Sequence, residues 1–277
     1  MEKDCESSSV KRLRTETMEA AQGVQKVCPT EDAPEVKVTT DWAPLLEARP
    51  PSTALRRIED EARAHYSEHK LLQLERLLNE AECARLNQAA EDVGFGRTNY
   101  PQSYRGNLRL IVEDRGLAAM LWERIRPFVP EILPVNGVDD DGDDVGVPSV
   151  PTVWRACGLN ECFRLAKYYP GHRFGAHCDA NFYRSDGEMS FYTVNVYLNA
   201  VDAAHGGHTR FYTDRNTIDL SVQPEPGLAV LFLQPPRAML RHDGDELRSG
   251  VKYLLRTDVM YRRERHVAGG GAPVPVA

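Results

Sequence analysis

Phe163-Arg164-Leu165-Ala166-Lys167-Tyr168-Tyr169-Pro170-Gly171 opens the part of the chain that decides its fold. A short run rich in aromatic and aliphatic residues, closed by Pro-Gly, reads as a strand and a turn. Further on, Ser190 to Leu198 alternates, with Thr193, Asn195 and Tyr197 on one face and Val194, Val196 and Leu198 on the other. Thr209 to Tyr212, Leu228 to Leu233 and Val251 to Tyr261 follow, separated by Gly, Pro and Asp turns. Several short strands without a βαβ rhythm predict a sandwich or jelly roll and argue against a doubly wound sheet.

Upstream of this region the texture is helical. Ala54, Leu55, Ile58, Ala62 and His65 fall at helical spacing, which predicts a helix over 53–69. Leu71 to Leu78 reads as an entry strand. Asn79 and Glu82 form a capping box, so a helix starts there, carries Cys83, Leu86, Asn87, Ala90 and Val93, and stops at Gly94. Leu108 and Leu110 alternate with Arg109 and Ile111 in a strand within 105–112. Leu117, Met120, Leu121, Ile125 and Phe128 share one stripe of a second helix over 115–129. Residues 1–52 are rich in Glu, Thr, Ser, Lys and Pro and read as a disordered tail. Residues 264–277, with Gly269-Gly270-Gly271 and Pro273-Val274-Pro275, read as a flexible one.

The chemistry-bearing residues lie inside the β region. His177-Cys178-Asp179 on a strand puts the imidazole and the carboxylate on one face, and His242 arrives from a distant strand. Two imidazoles and one carboxylate leave part of an octahedron open, which is the ligand set of non-haem Fe(II) oxygenases. Cys178 points the other way and is not counted. An oxygenase of this kind also needs a cation deep in its pocket to hold the distal carboxylate of a 2-oxo acid. Lys252, ten residues after His242, is the candidate, and Arg256, on the same strand face, is its competitor.

The order Tyr168-Tyr169-Pro170-Gly171, His177-x-Asp179, Tyr197-Leu198-Asn199, Gly206-Gly207-His208-Thr209-Arg210-Phe211, Pro226-Gly227, His242 and Gly250-x-Lys252-Tyr253 resembles the Fe(II)/2-oxoglutarate dioxygenase domain of the prolyl 4-hydroxylase family. The likeness covers roughly residues 70–263. It implies an α+β fold, with a double-stranded β-helix (jelly-roll) core over about 160–263 and buttressing helices from the N-terminal half of a 53–263 domain. It also implies Fe(II), 2-oxoglutarate and O2, with ascorbate as reductant and a prolyl residue in a protein or peptide as substrate. Hydroxylation of another residue or a small molecule, or a silent binding module on the same fold, are the alternatives. By resemblance, Lys252 holds the co-substrate carboxylate, Tyr197 donates its hydroxyl to it, Thr193 points inward beside Tyr197, and Tyr169 lines the pocket. His172 would border the substrate entrance. His205 and His208 are not read as ligands, and His208 stands where the family often has an acid.

Composition narrows the remaining classes. A net charge of −7 argues against a general nucleic-acid binder. No window approaches a membrane span, and the polar start lacks the apolar core of a secretory signal, unlike the collagen-type prolyl hydroxylases. Six scattered cysteines without a Cys-x-x-Cys pair fit a reducing, cytoplasmic or nuclear compartment. Lys11-Arg12-Leu13-Arg14 reads as a solvated charge run before an import signal. His65-Tyr66-Ser67-Glu68-His69 matches a zinc-peptidase pattern and is read as coincidence at a domain edge. Asp139-Asp140-Asp141-Gly142-Asp143-Asp144 lacks the twelfth-position glutamate of a calcium loop. In the resembling family, loops near it border the substrate groove, which would favour basic substrates.

Overall fold

Every residue of the strand Glu188–Tyr197 is buried, because both of its faces are covered. In the computed structural model, which describes residues 34–56, 58, 66, 69–135, 152–213 and 217–264, this strand lies inside the larger of two sheets. In chain order the elements are β1 (Val36–Thr39), β2 (Ala54–Arg56), β3 (Leu71–Glu75), α1 (Glu80–Val93), β4 (Gly96–Arg97), β5 (Leu108–Glu113), α2 (Arg115–Ile125), β6 (Ile132–Val135) and β7 (Thr152–Leu159). There follow β8 (Cys162–Tyr168), β9 (Phe174–His177), β10 (Tyr183–Ser185), β11 (Glu188–Tyr197), β12 (Thr209–Tyr212), β13 (Ile218–Val222), β14 (Ala229–Leu233), β15 (His242–Gly244) and β16 (Lys252–Arg263).

The larger sheet runs β1-β5-β8-β16-β11-β14-β3-β2, and the smaller runs β13-β12-β15-β9. Neighbours pair antiparallel except β1 with β5. This sheet-rich arrangement fits a jelly-roll core. On one face of β11, Phe191, Val194 and Val196 join the main core with Leu86, Leu117 and Leu121 of the two helices. On the other face, Tyr197 joins Phe211 and Phe232 between the sheets. No helix among the described residues is long and apolar enough to cross a membrane.

Local signals held where they were strong. Asn79 caps α1, and Glu82 returns the bond to its backbone N–H at 2.9 Å. Asp114 caps α2, which ends at Ile125; 126–128 is a turn. Gly227, in the Pro-Gly turn before β14, has φ +77° and would put a Cβ 1.9 Å from the Leu78 carbonyl oxygen, so only glycine fits.

Three sequence readings are corrected. Ala54–Arg56 is a strand rather than helix, because it pairs with β3, where Arg56 meets Glu75 and Glu225. Residues 34–52 are not a featureless tail: Val36 and Val38 pack on the core, and Trp42 is buried in it. The Asp114 carboxylate anchors them by accepting from Thr40 Oγ1 and the Trp42 N–H. Asp179 lies just past the end of β9, not on a strand. Residues 139–144 and most of the 65–69 pattern lie outside the described residues.

Glu82 also makes a buried ion pair with Arg124 of α2, at 2.7 Å. Burial would raise its carboxyl, but Arg124 and the N–H groups of Glu47 and Asn79 hold it below the ordinary value. Glu82→Ala would leave Arg124 buried without its partner and cost about 3–5 kcal/mol. Urea unfolding checks this: the midpoint falls at unchanged slope.

Candidate active site

His177, Asp179 and His242 meet because β15 pairs with β9 in a register that sets His242 opposite His177. Their potential ligand atoms all lie within 4.8 Å of one another. The two carboxylate oxygens of Asp179 are 3.5 Å from His177 Nε2 and 3.8 Å from His242 Nε2. An ion about 2 Å from each donor would span such gaps.

The imidazoles are set for this task. Nδ1 of His177 lies 2.8 Å from the Gly175 carbonyl, and Nδ1 of His242 lies 2.9 Å from the Leu240 carbonyl. A proton on each Nδ1 donates to that oxygen and leaves the Nε2 lone pair facing Asp179. Burial pushes His242 down to about 4, against the pull of Asp179, so its ring is neutral at pH 7. Phe174 stacks on His177 with ring centroids 3.9 Å apart, and Phe211 and Phe232 hold His242 from the other side.

Asp179 is held as closely. Burial would raise its carboxyl, yet Arg256 and then the two imidazoles keep it well below the usual carboxylate range. Arg256 approaches Asp179 at 3.3 Å and Asp258 at 3.3 Å. Thr193 Oγ1 donates to Asp179 at 2.8 Å, and Gln234 Nε2 donates to Thr193 at 2.9 Å. Arg256 is therefore already answered by two carboxylates, and Thr193 spends its proton on Asp179 rather than on a ligand in the cavity.

The cluster opens into a cavity of about 450 Å³ between the sheets. Deep in it sits Lys252, 1% exposed. Its Nζ donates to the Gly207 carbonyl at 2.6 Å and lies over the rings of Tyr168 and Tyr197 at 5.1 and 5.5 Å. No carboxylate is within ion-pair distance of it among the described residues. Burial pushes the ammonium down to about 8, against the pull of Asp245 and Asp243. A buried cation without a counter-ion suits an incoming carboxylate.

The remaining expected residues divide. Tyr197 is fully buried and gives its hydroxyl proton to Thr209 at 2.7 Å, and Thr209 lines the cavity. Tyr168, not Tyr169, lines the cavity. Residues 164, 166 and 168 of β8 share the inner face with 252, 254 and 256 of β16, while Tyr169 packs with Lys167 and His172. His172 is turned onto Tyr169 and does not line the cavity. Sequence reasoning missed Tyr168, Asn195, Thr209 and Arg105. The period-2 rule that selected 252 and 256 would have found Tyr168 once β8 was registered against β16. Asn195 lines the cavity with a buried Oδ1 that has no partner among the described residues. Among the described residues, Cys83, Cys157, Cys162 and Cys178 form no disulfide.

Residues 163–257 match the family model described as the 2OG-Fe(II) oxygenase superfamily. The matched stretch runs from β8 into β16 and contains the whole His177–Asp179–His242 cluster and Lys252. No curated protein matches the chain. Among solved structures it is similar to a viral collagen prolyl hydroxylase from Paramecium Bursaria Chlorella virus-1 with 2OG, at 17% identity and TM-score 0.46 over 70% of this chain and 97% of that one. It is also similar to a Pseudomonas putida prolyl-4-hydroxylase, at 20% identity and TM-score 0.44, covering 73% and 97%. A third is HygX from Streptomyces hygroscopicus with nickel and 2-oxoglutarate, at 11% identity and TM-score 0.46, covering 74% and 87%.

Proposed function

We propose that the chain is an Fe(II)- and 2-oxoglutarate-dependent dioxygenase that hydroxylates an unactivated C–H bond of a prolyl residue in a protein or peptide. The observation that carries the dioxygenase reading is the meeting of His177, Asp179 and His242 at the base of a cavity that also holds the unanswered Lys252. Two imidazoles and one carboxylate are the donor set for Fe(II), and three protein ligands leave positions for co-substrate and O2. The bound iron and 2-oxoglutarate would supply oxidative decarboxylation to succinate and CO2 coupled to hydroxylation.

The chain's own residues do the rest. His177, Asp179 and His242 would hold the metal, with Gly175, Leu240 and Thr193 fixing their orientation. Arg256 keeps Asp179 ionised. Lys252 would bind the distal carboxylate of 2-oxoglutarate, and Thr209, which accepts from Tyr197, would offer its hydroxyl to it. The prolyl substrate is supported by the ordered motif set from Tyr168 to Tyr253.

Succinate release by the full chain with Fe(II), 2-oxoglutarate and ascorbate tests the proposal. Turnover stimulated by proline-containing peptides is the expected result. Slow turnover that no peptide stimulates would retain the dioxygenase and remove the prolyl substrate. No turnover with iron bound would remove both.

A further inference from the structure

Arg105 is a cation on the cavity wall, and among the described residues no carboxylate pairs with it. The neighbouring cations are all accounted for. Arg109 pairs with Glu35, Arg164 with Asp258, and Arg256 with Asp179 and Asp258. Lys252 has the role proposed above. Arg105 has only the Asn107 side-chain oxygen, to which its Nε donates at 3.3 Å, and two aromatic faces. Its guanidinium lies 4.2 Å from the Phe174 ring centroid and 5.5 Å from that of Tyr100. Among the described residues no acid lies within ion-pair distance of it. Burial pushes its pKa down, and the like charges of Arg109 and Arg256 add to this. Stacking fixes the guanidinium plane and leaves its N–H edge for another acceptor.

The position is built rather than accidental. Arg105 bridges to Phe174 at the edge of the smaller sheet. The Gly175 N–H donates to the Tyr104 carbonyl at 2.6 Å, and the Gly106 N–H to the Arg173 carbonyl at 2.9 Å. A Cβ on Gly175 would meet the Tyr104 ring at 2.5 Å, so a side chain there would push this segment away. Because Phe174 also stacks on His177, one aromatic ring separates the guanidinium from the metal cluster. Arg105 shares the cavity wall with Arg109, Arg164 and Arg256.

We infer that the substrate carries a carboxylate within reach of the carbon that is oxidised, and that Arg105 binds it. This rests on the dioxygenase reading of the site and narrows its substrate class. It is opposite in sign to the basic preference expected from residues 139–144. The carboxylate has two possible sources, an acidic side chain beside the target residue of a peptide or the free acid of a small molecule.

Two pairs of probes separate these sources. One is an acetylated, amidated pentapeptide with a central proline flanked by glutamates, against its twin with glutamines. The other is N-acetylproline against its amide. Binding is measured by calorimetry on the full chain under anaerobic conditions, with Fe(II) and 2-oxoglutarate and again with neither. The charged member of at least one pair is expected to bind about tenfold or more tightly than its neutral twin. In Arg105→Gln that preference collapses to about unity, while Arg105→Lys, which keeps the charge and loses the planar stack, retains part of it. Equal binding of charged and neutral members in both pairs overturns the inference, as does a preference that survives intact in Arg105→Gln. The wild-type comparison stands even if a variant does not fold. A charge preference without succinate release would remove the dioxygenase reading and keep the anion site; succinate release without a charge preference would do the reverse.

Discussion

Asp179→Ala is expected to abolish turnover of 2-oxoglutarate and to weaken Fe(II) binding by more than about 100-fold. Loss of groups that merely orient a ligand typically costs 10–100-fold, and here a ligand itself is removed. Asp179 does more than offer an oxygen. Its carboxylate lies between the two Nε2 atoms and accepts from Thr193 while facing Arg256. Without it, the two imidazoles would hold a metal beside a guanidinium left with Asp258 alone, and less of its repulsion of a cation would be offset. Metal content after anaerobic loading and desalting reads the first effect, and succinate release reads the second. Asp179→Asn keeps the shape and removes the charge, so it separates ligand loss from a packing defect. Full activity in Asp179→Ala would remove the triad assignment.

Lys252→Met is expected to raise the dissociation constant for 2-oxoglutarate on the order of 100-fold, since truncating one partner of a buried charge pair costs about 2–5 kcal/mol. Methionine keeps most of the volume between Tyr168 and Tyr197, so the loss reports charge. The wild-type pH dependence follows from the depressed ammonium. Only the protonated form binds a carboxylate, and burial puts its pKa at about 8 in the free protein. Affinity is therefore level below about pH 8 and falls about tenfold per pH unit above it. In Lys252→Met this upper limb disappears. Anaerobic calorimetry across pH 7–9 distinguishes the two profiles. Unchanged affinity in Lys252→Met, with loss in Arg256→Met, would transfer the role to Arg256.

Some of this was legible in the residues alone. A capping box needs only positions three apart, so Asn79 and Glu82 mark the start of α1 without tertiary help. Period-2 alternation separated Thr193, Asn195 and Tyr197 from the apolar face of β11. The helix assigned over 53–69 failed at Ala54–Arg56 because a three-residue edge strand is decided by its partner, not by its own spacing. Residues 34–52 read as a tail because their composition is polar. What orders the strand and turn there is Asp114, more than 70 positions away.

The same division runs through the site. By itself the sequence determined which residue types were present at spacings that suit a metal and an acid-binding cation: His177, Asp179, His242 and Lys252. Those chemistries are scarce enough, and their order along the chain specific enough, to stand out without coordinates. Only the tertiary structure decided how the charges are shared. It turned Thr193 and Arg256 toward Asp179, left Lys252 and Arg105 without carboxylate partners among the described residues, and put Tyr168 rather than Tyr169 on the cavity wall. Each of these depends on strand register between segments far apart in the chain, and a shift of one residue moves a side chain to the opposite face.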